Sequence, residues 1–536
     1  MQPIDDSTEY DVVVMGGALA GSSMGLLIKR AHPTARVLVV ERSTEFDFKV
    51  GESTSEIAGC FLSRVLRLGS WLSREQITKN GLRFWFNRDG NYNLGRCAEM
   101  GPKLQVRLPA WQLDRSTLDP HVLQLAKDAG CEIWRPATVR AFSLDGFGKN
   151  VLSINSENGE IASVRAKWVI DATGKAALIG RKRGTLEMLD AHPTNSMWAR
   201  FRHISDLDHH DLITKHPEMA QRVWSQRATA TNHLTGYGWW AWIIPLRGGE
   251  VSVGVTWDRR LYQPPTEGSI PERLRALLSS HPIGAYMMQH AEAVEKDART
   301  YTQLAYFNRE VAAPGWIAVG DAAGFMDPLY SHGIDFIAHT VWAASRIVIR
   351  SLDGSDVTPD VEAYAKGYQE SYHRWFESLY KDKYHYLGDA ELMYAATLMD
   401  VGFYFWGPVR LTYENHAKEL ALMPYNGPAG KMVARVMRTY NRRLSTLARR
   451  RLACGMYGHK NLDHHFLYRE SFLPSHKVLG LIYCGMKQWL KCELSTWWAC
   501  HGKTIDSPEA MPSEQQLPES TPMAHAMPVG KIAGKI

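Results

Sequence analysis

Three consecutive valines, Val12, Val13 and Val14, follow a polar N-terminal segment and run straight into Gly16 and Gly17. A short, uninterrupted β-branched run closed by glycines predicts a buried strand entering a tight turn. An apolar stretch from Met24 to Ile28 then predicts a helix, and Arg36-Val-Leu-Val-Val-Glu41 a second short strand ending on a carboxylate. The pattern returns twice, in Lys167-Trp-Val-Ile-Asp-Ala-Thr-Gly174 and in Gly315-Trp-Ile-Ala-Val-Gly320. Between 176 and 301 strand-like runs alternate with loops, 249–257 being one such run, and predict a covering sheet. From about 340 onward the apolar spacing is helical. Met432, Val433, Val436, Met437, Tyr440, Leu444 and Leu447 mark one helix face, with Arg435, Arg438, Arg442, Arg443 and Arg449 largely off it. Residues 504–536 are rich in Pro, Ser, Glu and Met without periodicity, which predicts a disordered tail. The pattern predicts an α/β chain in four parts: a discontinuous nucleotide-binding domain of Rossmann type (1–175 and 300–350), an inserted β-sheet domain (176–299), a helical C-terminal region (351–503) and the tail.

Composition narrows the partners. The chain has 536 residues, 62 Lys+Arg against 56 Asp+Glu and a formal charge of +6, a mild excess that gives no argument for nucleic acid. Seven scattered cysteines without a CxxC pair make a disulfide framework or a thiolate metal site an unfavoured reading, and fit a reducing, cytoplasmic setting. The polar start predicts no signal peptide. The most membrane-like stretch, 478–498, is interrupted by Lys487, Lys491 and Glu493, which argues against a spanning helix. His459, His464, His465 and His476 lack an acid or cysteine at metal-ligand spacing, so no metal is expected. The basic stretch around 432–449 reads as a solvated face on a packed helix; contact with a membrane surface, an acidic carrier protein or a reductase stays open.

Strand, glycine turn, helix, strand and acid within about 30 residues form a dinucleotide-binding unit. Gly16, Gly17, Ala18 and Gly21 build its turn, and Glu41 stands where ribose hydroxyls would lie. Ala18 occupies the place of the middle glycine, which the turn tolerates if its φ is negative. The late Gly320-Asp321 pair points to FAD: a long cofactor needs a carboxylate from a distant strand. No second glycine fingerprint is present for a nicotinamide domain.

Two further segments carry a resemblance. Trp240-Ala-Trp-Ile-Ile-Pro245 reads as WxWxIP, and Phe325-Met-Asp-Pro-Leu-Tyr-Ser-His-Gly333 as FxxPxxSxG. Together with Val50-Gly-Glu-Ser-Thr54 and Gln112-Leu-Asp-Arg115-Ser-Thr-Leu-Asp119, they resemble the flavin-dependent halogenases, within the single-domain flavin monooxygenase superfamily. The likeness runs from about 11 to about 350. It implies FAD used as FADH2, a halide ion, a separate flavin reductase and a small aromatic substrate, free or carrier-bound. It implies Arg115 among the cofactor-binding residues and places the halide against amides around Ser331 and Gly333. Trp240 and Trp242 would keep the substrate off the flavin; taken alone, the pair is also what one aromatic face of a strand looks like. The family relays hypohalous acid through a lysine, and Lys79, in Lys79-Asn-Gly81-Leu-Arg-Phe84, resembles the KxGxxF arrangement of phenol-type members. The competing reading of Lys79 is an ordinary solvated lysine. Tryptophan-type members carry a glutamate before the motif serine, where this chain has Tyr330, so a phenol, pyrrole or polyketide-derived ring is the expected substrate. Glu52 and Asp327 lie in motif segments without an assignable role. The alternatives on the same scaffold are an aromatic hydroxylase and a flavin reductase of isoprenoid double bonds.

Overall fold

The computed structural model describes residues 8–156, 159, 161–414, 424–468 and 477–501. The predicted tail and His476 lie outside these residues. The first sheet is built on parallel neighbours in the order Trp316–Ala318, Ile161–Asp171, Thr8–Met15, Val37–Val40 and Glu132–Trp134. Its central strands are valine-rich because helices cover both faces: Val12, Val13, Val14, Val39, Val169 and Ile170 are fully buried. Helix α1 (Leu19–Ala31) follows the first strand, α2 (Arg115–Asp128) packs against α1, and α3 (Gly333–Leu352) packs on α1 from further along the chain.

The second sheet runs Glu292–Ala293, Thr194–Arg202, Val251–Asp258, Trp239–Pro245, Thr231–Gly236, Leu82–Phe86, Ala98–Pro102 and His465–Tyr468. The middle strands pair antiparallel, but Thr231–Gly236 lies parallel to Leu82–Phe86. This sheet thus draws strands from before 176 and from the far C-terminal region. The short helices His210–Lys215, Ile270–Ser279 and Pro282–Met288 interrupt what the sequence reads as strands and loops.

The remaining long helices are α4 (Thr358–Trp375), α5 (Ala390–Tyr404), α6 (Gly427–Ala453) and α7 (Val478–Cys500). On α6, Met437, Tyr440, Leu444 and Leu447 are buried as their spacing predicts, but Met432 and Val436 are exposed: the covered face there is narrower than the apolar stripe and takes in Ala434 and Met437 instead. The cysteine expectation also needs correction, because Cys454 and Cys500 form a disulfide joining the ends of α6 and α7. Sequence spacing misses it, since 46 residues separate the two. No helix among the described residues is long and apolar enough to cross a membrane.

Candidate active site

The glycine turn is forced by close packing. Gly16 has φ +102°, and a Cβ there would lie 2.4 Å from the Ala172 carbonyl oxygen; a Cβ on Gly21 would lie 1.8 Å from the Gly16 oxygen. Ala18 has φ −72° in extended backbone, so its methyl fits where the motif has its middle glycine. It caps α1 without a side-chain bond, leaving first-turn amides to face an anion. Glu41 is fixed beside the turn: its Oε2 accepts from the Gly17 amide at 2.7 Å and its Oε1 from the Ser43 amide at 2.9 Å. From this turn a groove continues past Val139 and Thr173 to Arg115 and Asp321. Arg115 is held by both oxygens of Asp119 (2.8 and 2.9 Å). Asp321 is pushed up to about 6 by burial, against the pull of Arg115. Gly320 turns the chain there with φ +57°, its amide held by Thr340 Oγ1 at 2.8 Å. An anion-facing helix start at one end and a carboxylate at the other fit a long dinucleotide such as FAD.

The groove opens into an inner chamber that shares Arg115 and Asp321 with it and is walled by Trp240, Trp242, His233, Ser331 and Gly333. Trp240 and Trp242 are 2% and 6% exposed, with ring centres 5.7 Å apart. Alternation along Trp239–Pro245 puts both on one face, as i and i+2 must be. Each indole N–H is anchored: Trp242 donates to Ser252 Oγ at 3.2 Å and Trp240 to the Tyr384 hydroxyl at 2.9 Å. Tyr384 in turn donates to Asp327 Oδ2 at 2.8 Å, which also bonds His192 Nε2 at 2.8 Å. Tyr330 and Ser331 both take left-handed φ (68° and 64°), swinging the chain into the start of α3. The Ser331 amide is used by the Pro328 carbonyl at 3.1 Å, so the anion-facing amides are those at the N-terminus of α3, around His332 and Gly333.

Lys79 lies in a different chamber, lined among others by Thr54, Glu56, Phe84, Tyr330, His332 and Tyr404. It is 3% exposed, donates to the Thr54 carbonyl at 2.6 Å, and burial lowers it to about 8 even though Glu56 and Asp335 favour its charge. Asp335, pushed up to about 7 by burial, accepts from Ser55 Oγ, the Ala58 amide (3.0 Å) and Tyr404 OH (3.1 Å). Burial also raises Glu56 and lowers His332 to about 3, so that imidazole is neutral.

The predicted site residues therefore divide. Trp240, Trp242, Ser331 and Gly333 share the inner chamber with Arg115 and Asp321; Gly16, Ala18 and Glu41 line the groove; Lys79 is alone in the second chamber. The partition is not made by the two indoles alone. His233 stacks on Phe84 (4.5 Å, 15°), stands 5.5 Å from Trp240, and faces the inner chamber while Phe84 faces the lysine. Segment 50–56 threads along this wall, with Glu52 and Ser53 on one side and Ser55 and Glu56 on the other. Glu52 and Asp327 both serve structure: Asp327 is held by His192 and Tyr384, while Glu52 bonds Arg200 at 2.9 Å and is pushed up to about 7 by burial. His233, Glu56, Asp335, Tyr384 and Arg200 escape sequence reading because no motif spacing marks them. Among the described residues no cluster of His, Cys, Asp or Glu is grouped for a metal.

Comparison with known proteins points to flavin-dependent halogenases. The family model described as tryptophan halogenase matches residues 96–386. The flavin-dependent halogenase chlA of Dictyostelium discoideum is 24% identical over 436 residues, covering 74% of this chain and 69% of that protein. The 1H-pyrrole-2-carbonyl-[peptidyl-carrier protein] brominase of Pseudoalteromonas luteoviolacea is 24% identical, covering 66% and 81%. The crystal structure of halogenase PltM in complex with phloroglucinol and FAD superposes with a TM-score of 0.69 over 90% of this chain and 98% of that one, at 15% identity.

Proposed function

The chain belongs to the tryptophan halogenase family, and on that premise we propose that it is a flavin-dependent halogenase placing chloride or bromide on an electron-rich aromatic ring, with Lys79 as the relay. The observation that carries this reading is the pair of buried chambers, one continuous with the dinucleotide groove and one holding a desolvated lysine, divided by the His233–Phe84 wall. Reduced FAD held by the turn 16–21, Glu41, Arg115 and Asp321 would, with oxygen and halide, supply hypohalous acid, being itself oxidised to FAD.

The rest falls to the chain's own residues. The turn 16–21, Glu41, Arg115 and Asp321 bind and orient the cofactor. The N-terminal amides of α3 hold the halide. Trp240 and Trp242, each pinned by a hydrogen bond, fill the space in which an organic substrate would otherwise approach the flavin. Lys79 receives the oxidant, as amine nucleophile or as ammonium donor, and fixes it facing the substrate ring. Glu56 lines the same chamber, and burial raises its carboxyl above the ordinary value, which strengthens its carboxylate form as the base for the proton leaving the ring carbon.

The lysine chamber is lined by Phe84, Val401, Phe405 and Tyr404, which suits an aromatic ring, and Tyr330 stands before Ser331 where tryptophan-type members have glutamate. A phenol or pyrrole, free or carrier-bound, is the favoured substrate. The name of the pyrrole-carrier-protein brominase among its relatives supports the pyrrole and carrier-bound part of this range. A separate reductase supplies the electrons.

The deciding experiment supplies FADH2 through a flavin reductase, with bromide or without, and analyses a small panel of phenols, pyrroles and indoles by mass spectrometry. A brominated product that requires bromide and oxygen is expected. A hydroxylated product indifferent to halide would replace this reading with a hydroxylase, and anaerobic turnover would replace it with a reductase.

A further inference from the structure

Helix α7 buries one narrow side, and no element among the described residues covers the other. Val478, Leu481, Gly485, Cys492 and Thr496 pack inward, and the approach to α5 is so close that a Cβ on Gly485 would lie 2.5 Å from Met399 Cγ. The opposite side carries Leu479, Tyr483, Met486, Leu490, Leu494 and Trp497, between 44% and 68% exposed, with Trp498 at 71%. Spacings of 4, 3, 4, 4 and 3 residues keep the first six on a single line. At 1.5 Å per residue that row is about 27 Å long. Scattered exposed hydrophobics need no explanation, but a continuous row ending in two indoles does.

Charge selects what covers the row. Exposed Lys487 and Lys491 flank it, and the one acid of α7, Glu493, is tied to Arg443 of α6 at 2.7 Å. Helix α6 carries no Asp or Glu along its whole length, and its exposed residues include Arg435, Arg442, Arg449 and Arg450. The Cys454–Cys500 bond holds its arginine-rich end against the tryptophan end of α7. A second copy meeting this face through a two-fold axis would bring basic helices toward each other. An acidic protein matches the charge and leaves the indole-capped row unexplained. An anionic bilayer surface satisfies both, because headgroups take the cations while leucine and tryptophan enter the acyl boundary.

We propose that the outer face of α7, with the basic surface of α6, is an interfacial docking site for an anionic lipid membrane, on which the protein lies without crossing it. Beneath this face sits α5, whose Thr397, Val401 and Tyr404 wall the lysine chamber. The proposal stands on the surface alone and does not depend on the halogenase reading.

The test is co-sedimentation of the full-length protein with vesicles of phosphatidylcholine alone, or mixed with phosphatidylglycerol. Binding to the anionic vesicles only is expected, and its loss at roughly 1 M salt, where the screening length is about 3 Å. The Lys487→Gln/Lys491→Gln double variant should weaken partitioning about twenty-five-fold, each charge near the surface being worth about fivefold. Leu490→Glu with Leu494→Glu should abolish it. Both pairs lie on the outer surface, so melting temperature and turnover of a soluble substrate should stay at wild-type values. Wild-type protein that remains in the supernatant with anionic vesicles, or a Leu→Glu pair that still sediments, overturns the proposal. A dimer in solution that the Leu→Glu pair dissociates would assign the face to a second copy instead.

Discussion

On the proposed relay, replacing Lys79 with methionine should separate the making of the oxidant from its use. The consequence for folding follows from the surroundings of Nζ. Lowering Lys79 from 10.5 to about 8 means that holding the ammonium in this chamber costs about 3 kcal/mol at neutral pH. Methionine has similar length and removes that cost. Against this, the Thr54 carbonyl loses its donor at 2.6 Å, a loss of about 1–3 kcal/mol, and Glu56 loses its counter-charge. The two effects oppose each other, and the variant should unfold within about 2 kcal/mol of wild type. The sign of its pH dependence provides an internal check. Because the folded pKa lies below the unfolded one, wild-type stability rises between about pH 8 and 10.5 as the unfolded chain holds the extra proton. Lys79→Met should lack that rise in chemical denaturation curves. Catalysis, unlike stability, should fall steeply. Ring halogenation should drop by about 10²–10⁴ while oxygen consumption and FAD binding persist, and a small diketone in solution should trap the stray hypohalous acid. In the wild type, about one lysine in ten is neutral at pH 7 and about one in two at pH 8. Halogenation that climbs with the neutral fraction makes the amine the working form, and halogenation that declines with it makes the ammonium the working form. Lys79→Met retaining more than about a tenth of wild-type halogenation would refute the role of this lysine, and a collapse in stability would refute the account of its burial.

Gly16→Val should lose flavin absorbance and melt at a lower temperature, since a Cβ at φ +102° would lie 2.4 Å from the Ala172 carbonyl oxygen and the turn must distort; a variant with full flavin and wild-type melting would contradict the placement of the turn. Tyr384→Phe removes the acceptor for the Trp240 N–H and one donor to Asp327; urea unfolding should show a loss of about 1–3 kcal/mol, with halogenation reduced and its pH profile unmoved. Arg200→Met strips Glu52 and Asp114 (2.9 Å each) and nearby Asp297 of their shared cation. It should cost about 3–5 kcal/mol at pH 8. That deficit should shrink on acidification, as Glu52 and Asp297, already at about 7 and 6, take up protons. NADPH alone should leave bound flavin yellow for many turnover times, and rapid bleaching without a partner would contradict the separate reductase.

What the sequence discloses and what it conceals differ by the range of the interaction involved. The dinucleotide turn is local: the valine strand, Gly16, Gly21 and Glu41 must lie within about 30 residues because one strand, one turn and one helix make the site, and Ala18 is tolerated by a single dihedral. The indole pair is legible for the same reason, two positions apart on one strand. The wall between the chambers is not local. His233 comes from the middle of the chain, Phe84 from a strand that pairs with it in parallel, and Tyr330 from the turn before α3. Their contact is a consequence of a sheet that borrows strands from distant segments, and no spacing encodes it. The Tyr384 anchor of Trp240, 144 residues away, is hidden in the same way. Burial then does what motifs cannot. Lys79 sits in an unremarkable stretch of sequence, and only the closing of α5 and segment 54–56 over it turns a common surface residue into a desolvated amine. The residues of the two chambers stand one by one in the sequence, whereas their separation by the His233–Phe84 wall is a property of the packing. It follows that variants in the wall, His233 and Phe84 first, should change where the oxidant goes more than how fast it forms.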